Sequence, residues 1–209
     1  AELADRREVA DEGEAGPRGH QRPDAVLDRL DQQLSCRHGA LVEAQAGEVG
    51  EGIVFGTRHI EYAWPETPLV SIVIQTRDRE EYLRPLLDSL HEHTLYPNYE
   101  LIIVDNETRD PDAAAWLTTI PSDPRWRGRA QVLPMPGPFN WAAGANLGAE
   151  AASGEYILFL DNDMHVVQDE WLSRMIGIAQ RPEVGIVGPR LAFAETARVQ
   201  ETGWVLGLH

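Results

Sequence analysis

LVSIVIQTRD, residues 69–78, is apolar at every position from Leu69 to Ile74 except Ser71, then turns abruptly polar. A strand with one wet face alternates apolar and polar residues. A run without alternation belongs to a strand covered on both faces, as in parallel sheets. The pattern recurs twice, in YELIIVDN (99–106) and YILFLDND (156–163), each an apolar run ending in carboxylates and amides. Between them lie helical patterns. Asp78 and Glu81 have the spacing of a capping box, so Asp78 is expected to accept the first N–H groups of a helix lined by Leu83, Leu86, Leu87 and Leu90. Asp110-Pro111 supplies an N-cap and a proline in the first turn of a short helix through Trp116 and Leu117. AQVLPM (130–135) is a short strand cut by proline, as at a sheet edge. Asn140 is placed to cap a helix through Ala152. A helix from about Asp169 to Gln180 would bury Trp171, Leu172, Met175 and Ile176, and VGIVGPRLAF (184–193) reads as a further strand. Alternating strands and helices predict an α/β fold with a doubly wound, mainly parallel sheet and YILFLDND as a buried central strand.

Working outward, Pro65 and Pro68 mark a boundary, giving an appendage over 1–66 and the α/β domain over 67–209. Residues 1–24 are charged and small and read as a flexible or weakly helical lead-in. Ala25–Leu34 has a helical apolar face. ALVEAQA (40–46) and IVFGTRHIEYAW (53–64) read as the strands of a hairpin turning at GEVGEG. The net charge of the 209 residues is −16. Such a surface repels phosphate backbones and argues against nucleic-acid binding. The lone Cys36 has no internal disulfide partner, and no apolar run reaches the roughly 20 residues of a membrane span, so the expected location is cytoplasmic.

In doubly wound sheets ligands bind beyond the carboxyl ends of the strands. Three polar clusters fall there: Gln75-Thr76-Arg77-Asp78, Asp105-Asn106-Glu107-Thr108 and Asp161-Asn162-Asp163. Each could be no more than a cap or an Asx turn; together they favour a ligand site. Carboxylate oxygens are hard ligands suited to Mg²⁺ or Mn²⁺, which keep waters and share phosphate oxygens with a substrate, and the same oxygens can accept ribose hydroxyls. The first strand is followed by neither Gly-x-Gly-x-x-Gly nor Gly-Lys-Ser/Thr, so a dinucleotide-binding or P-loop site is not indicated. Among the histidines, His91 and His93 suit the last turn of a helix, and His165 lies two residues past Asp163, within reach of a metal there. Trp141 is either a stacking platform or a packing residue.

VSIVIQTRDREEYLRPLLDSL, YELIIVDNETRD, PFNWAAGANLGAEAASGEYILFLDND and DEWLSRMIGIAQRPEVGIVGPRL together resemble family 2 glycosyltransferases of the GT-A fold, over about Pro68 to Leu208 and nearest to bacterial rhamnosyltransferase-like and polysaccharide-building members. The resemblance implies transfer of a sugar, with inversion, from a nucleoside-diphosphate sugar to a hydroxyl of a glycan or lipid-linked acceptor, at the cytoplasmic face of the membrane. It implies Mn²⁺ or Mg²⁺ on Asp163, with Asp161 and Asn162 beside the metal or the ribose. Asp105 would meet the nucleobase, Gln75, Thr76 and Arg77 the nucleoside, and Asn140 and Asn146 the diphosphate. Gln75 stands where the family commonly has proline, and Glu201 where relatives often carry histidine. The family's general base lies on an acceptor-binding segment after the donor half, so no catalytic base is assigned within these residues. Competing readings are a sugar nucleotidyltransferase, which wants a glycine-rich basic loop where this chain has the acidic QTRDREE, and a non-catalytic nucleotide-sugar-binding or assembly module.

Overall fold

The computed structural model describes residues 47–51, 58–62, 66–193, 196 and 198–201. The expected lead-in, the helix at 25–34 and the strand at 40–46 lie outside the described residues. β1 (Gly47–Glu51) pairs antiparallel with β2 (Arg58–Tyr62), Gly47 opposite Tyr62 and Glu51 opposite Arg58. A hairpin was expected, but with GEVGEG as its turn. That segment is itself the first strand, because pairing along RHIEY outweighs the turn preference of its glycines.

The central sheet is built from β3 (Val70–Thr76), β4 (Tyr99–Asp105), β5 (Ala130–Pro134) and β6 (Tyr156–Leu160). Its order is β5-β4-β3-β6 with every neighbouring pair parallel. The first of these strands therefore lies between the second and the fourth, and the winding direction reverses between β3 and β6. In open α/β sheets such a reversal leaves a crevice at the strands' carboxyl ends.

Both faces of β3 and β4 are covered, as their unbroken apolar character predicts. On one face Val70, Ile72, Ile74, Leu101 and Ile103 pack against α1 (Glu80–His93), α2 (Pro111–Leu117) and α4 (Trp171–Ala179). The α1 leucines at 83, 86, 87 and 90 are all fully buried. On the other face Val73, Ile102 and Val104 meet Leu133, Leu147 and Ala151, the last two from α3 (Trp141–Ala151). α3 comes unusually close. A Cβ added to Gly148 would sit 2.2 Å from Val73 Cγ1, and one on Gly144 would sit 2.0 Å from Gln75 Oε1. Asp110 caps α2 through the N–H groups of Asp112 and Ala113, and Asn140 caps α3 through that of Ala143, both as the sequence suggests.

Several expectations need correction. Asp78 does not cap α1: Arg79 holds that position without a side-chain bond, and Asp78 turns away at φ 50°. β6 is neither central nor buried among the described residues. It is an edge strand whose Ile157 and Phe159 are 41% and 45% exposed, because α3 lies over β3 and β4 and leaves that face of β6 uncovered. Residues 184–193 do not form a strand. Gly185, Gly188 and Pro189 break the run, Ile186 is exposed, and just β7 (Leu191–Ala192) pairs, antiparallel with β8 (Val199–Glu201). In α4, Leu172 and Ile176 are buried, whereas Trp171 and Met175 are half-buried. The hairpin rests on this helix: a Cβ on Gly177 would meet the Tyr62 carbonyl at 2.6 Å, and Arg174 pairs with Glu61 at 3.0 Å.

The close approach of α3 yields one prediction. Gly148→Ala gains up to about 1 kcal/mol of helix propensity but forces Val73 or the helix to move, at roughly 1–3 kcal/mol. A lower midpoint in urea with unchanged slope is expected; equal or greater stability would show that the helix has room to spare. Leu86→Ala, which empties a fully buried site beneath α1, is expected to cost about 2–5 kcal/mol by the same measurement.

Candidate functional site

The register sets the site. Thr76 lies opposite Asp105 on β4, and Ile74 opposite Leu160 on β6, so the polar residues that follow all three strands reach one rim. Thr76 is buried, and its Oγ1 accepts from Asn162 Nδ2 at 3.3 Å, tying the β3 and β6 ends together across the reversal point. Gln75 faces the other way. Its Nε2 donates to the Trp141 carbonyl at 3.0 Å and anchors the first residue of α3 to β3, while its buried Oε1 has no partner.

Asn106 ties in the loop between β5 and α3. Its Nδ2 donates to the carbonyls of Met135 (2.9 Å) and Gly137 (3.1 Å), its N–H donates to Thr76 O (2.9 Å), and its Oδ1 is buried without a partner. Gly137 has φ 107°, a conformation a Cβ would strain, so this loop needs glycine where Asn106 holds it. Beyond it, α3 begins with Asn140 and Trp141, and its N-terminus belongs to the same rim.

Two loops meet beside Asp105. Its Oδ1 accepts from Thr108 N at 2.9 Å. Asp78 N donates to Thr108 Oγ1 at 3.2 Å, and Asp78 Oδ1 accepts from Asp110 N at 3.0 Å and from Arg109 N. Those two N–H groups, Asp110 before Arg109, hold the Asp78 carboxyl below the usual carboxylate range, so it is ionised at neutral pH.

Asp161 and Asp163 are exposed, in a turn closed by the Asp161 carbonyl accepting from Met164 N at 3.4 Å. Among the described residues no three histidine, cysteine, aspartate or glutamate side chains converge as a metal cage. Asn146 is exposed farther along α3, Arg77 is half-buried, and His165 is exposed after the turn. Trp141 is 50% exposed, its ring 6.1 Å from that of Phe159, so it presents a face to solvent at the rim instead of packing under the helix. His91 and His93 are at the opposite rim, where α1 ends. His91 lies edge-on to Trp126, and His93 Nδ1 is 2.8 Å from Asp169 Oδ1. The contributions of Asn106 and Thr108 were not assigned from sequence. Their signal, polar residues directly after an apolar strand, was visible, but the partners of Asn106 and the Asp78 partner of Thr108 lie about 30 positions away.

A central parallel sheet that reverses beside the first strand, with carboxylates and amides at its carboxyl rim, has counterparts among known proteins. The mannosyltransferase PcManGT from Pyrobaculum calidifontis, solved in complex with GDP-Man and Mn²⁺, superposes with a TM-score of 0.52 at 16% identity, over 77% of this chain and 44% of that one. In sequence, the uncharacterized protein y4gI of Sinorhizobium fredii is 39% identical over 175 residues, and the O-antigen biosynthesis protein RfbC of Myxococcus xanthus 43% identical over 149. These matches take in 81% and 71% of this chain but 19% and 11% of the relatives, which are far longer. The sequence model of the family described as "Glycosyl transferase family 2" matches residues 71–202, from the first sheet strand to just past β8 and so across the whole rim. With the α/β architecture of the GT-A glycosyltransferases beneath that match, the chain belongs to glycosyl transferase family 2.

Proposed function

We propose that this chain is the nucleotide-sugar-binding part of a metal-dependent, inverting glycosyltransferase that transfers a sugar from a nucleoside diphosphate to a hydroxyl of a glycan or lipid-linked acceptor in cell-surface polysaccharide synthesis. The observation that carries the reading is the gathering of Gln75, Thr76, Asp105, Asn106 and Asn162 with the start of α3 at the reversal point of a family 2 sheet. The GDP-Man and Mn²⁺ of the solved neighbour and the O-antigen relative support it.

Within this reading the nucleoside lies along Gln75, Thr76 and Arg77, with Asp105 toward the base. The diphosphate lies by the N-terminus of α3, whose unpaired N–H groups favour an anion, with Asn140 and Asn146 on that helix. The residues present fit a divalent cation. Asp161 and Asp163 offer hard oxygens, exposed and one residue apart, and leave the remaining positions to water and phosphate oxygens, as Mg²⁺ and Mn²⁺ prefer. Asp163 holds the metal, and Asp161 and Asn162 support it or the ribose. A bound cation supplies neutralisation of the charge that develops on the leaving diphosphate. The chain's own residues orient the donor: Asn162 fixes the turn against Thr76, and Trp141 offers an exposed ring beside the diphosphate-facing helix end. In this scheme the donor domain is residues 67–209, and the appendage up to residue 66 packs on its α4 through the hairpin. The protein works at the cytoplasmic face of the membrane; among the described residues no helix is long and apolar enough to cross one.

The test is thermal unfolding with UDP, GDP and dTDP sugars, each with and without Mn²⁺. A ligand that binds the native state at a hundred times its Kd stabilises by about 2.7 kcal/mol, so one nucleotide class is expected to raise Tm, and more so with Mn²⁺. Asp163→Ala should erase the metal-dependent part of the rise and leave any metal-independent part. No shift with any nucleotide sugar would sink the proposal; a full Mn²⁺ effect in the variant would move the metal off Asp163.

A further inference from the structure

We infer that Asp78 and Thr108 form a latch between two loops and act as positioning residues for the nucleoside side of the donor site, setting the orientation of Asp105 without touching the ligand. The inference rests on the nucleotide-binding reading above. The loop after β3 and the loop after β4 leave adjacent strands whose last residues, Thr76 and Asp105, stand opposite each other. Nothing in the sheet dictates where they go next. The latch does: Asp78 Oδ1 gathers the N–H groups of Arg109 and Asp110, Asp78 N–H donates to Thr108 Oγ1, and Thr108 N–H in turn donates to Asp105 Oδ1. The chain of bonds therefore runs from one loop, through Thr108, to the carboxylate placed toward the nucleobase. One of its oxygens is used by Thr108, and the other is left to a ligand.

Two observations separate this from ordinary loop structure. Asp78 and Glu107 both have positive φ, 50° and 57°, a region L-residues enter seldom and hold when surrounding bonds over-determine them. The two lie in facing loops, one on each side of the latch. Asp78 is also exposed and makes no bond to α1, so neither packing nor helix capping explains it. Its Oδ1 is engaged by two backbone N–H groups of the facing loop, which ties that carboxylate to the support of the site.

The test compares binding of UDP, GDP and dTDP, with Mn²⁺, by calorimetry on the full chain and three variants. Asp78→Gly removes the acceptor while relieving the positive φ. Asp78→Asn keeps an acceptor oxygen and tolerates that φ. Thr108→Val keeps the shape of threonine and removes its oxygen. Relative to the wild type with its tightest nucleotide, Asp78→Gly is expected to weaken Kd by about tenfold, since binding must then order the loops itself. Asp78→Asn should restore most of that loss. Thr108→Val should weaken binding in the same sense, and the double variant Asp78→Gly/Thr108→Val should be no worse than the weaker single, because both break one device. Wild-type affinity in Asp78→Gly, failure of Asp78→Asn to rescue, or additive losses in the double variant would each overturn the latch. If Asp78→Gly does not fold, Thr108→Val decides alone, unchanged affinity overturning the latch. A wild type that binds none of the three nucleotides fails the donor reading, and the latch with it; a wild type that binds beside an indifferent Asp78→Gly fails the latch alone.

Discussion

The molecule depends on the parallel pairing of β3 with β4 on one side and β6 on the other. Parallel pairing sends every carboxyl end the same way, so polar residues separated by as many as 86 positions, Thr76 and Asn162, come within hydrogen-bond reach. Placing the first sheet strand between the second and fourth also means that the helices after β3 and β4 and the helix after β5 cover opposite faces. That division keeps β3 and β4 dry on both sides and leaves their ends open at the reversal point. Without the register Thr76–Asp105 and Ile74–Leu160, the three polar clusters would be unrelated turns.

The sheet's covering has its own constraint. α3 reaches β3 through glycines, Gly148 over Val73 and Gly144 over Gln75. A helix that close can bring its first residue, Trp141, into a bond with a strand side chain, and Gln75 uses that bond. Helix packing and the position of the helix N-terminus at the rim are thus one feature. Gln75 sets the height of α3 by a specific contact. The same closeness over β3 and β4 is why β6 keeps an uncovered face, with Phe159 beside Trp141.

What was legible in the sequence was what short-range physics controls. Unbroken apolar runs gave β3 and β4, leucine spacing gave the buried face of α1, and Asp110 and Asn140 were readable as caps because their partners lie within three residues. The polar strand ends pointed to the rim once a parallel sheet was assumed. The misreadings have the opposite cause. Asp78 has the spacing of a capping box, yet two N–H groups 31 and 32 residues away compete for its carboxylate and win. YILFL is as apolar as a central strand, and its place at an edge depends on which strands and helices cover it, which no local pattern records. VGIVGPRLAF has the composition of a strand but carries two glycines and a proline, and among the described residues its strand pairing begins just at Leu191. The proposal of Asp161 and Asp163 as metal ligands rests on residue type and family resemblance, and the fold adds their exposure at the rim.

The two rims of the sheet differ in how they are held. At the amino ends, Ser71 Oγ donates to Glu100 Oε1 (2.7 Å) and accepts from Gly154 N (2.8 Å), Glu100 Oε1 also accepts from Ser153 N (2.7 Å), and the buried Tyr96 hydroxyl donates to Pro68 O (2.6 Å). A Cβ on Gly154 would lie 2.7 Å from Leu69 O, Ser71 N and Ser71 Oγ, so nothing larger than glycine fits that junction. Unfavourable features occur at both rims: positive φ at Asp78 and Glu107 and unpartnered buried acceptors on Gln75 and Asn106 at the carboxyl rim, and positive φ at Arg127 with an unpartnered buried Trp126 Nε1 just before β5. An unsatisfied buried acceptor costs roughly 1–3 kcal/mol, and a strained backbone residue a similar amount. A fold with a stability margin of about 5–15 kcal/mol can hold several such features when the core between them is well packed. What sets the carboxyl rim apart is that its strained and unpartnered groups adjoin the polar cluster at the reversal point.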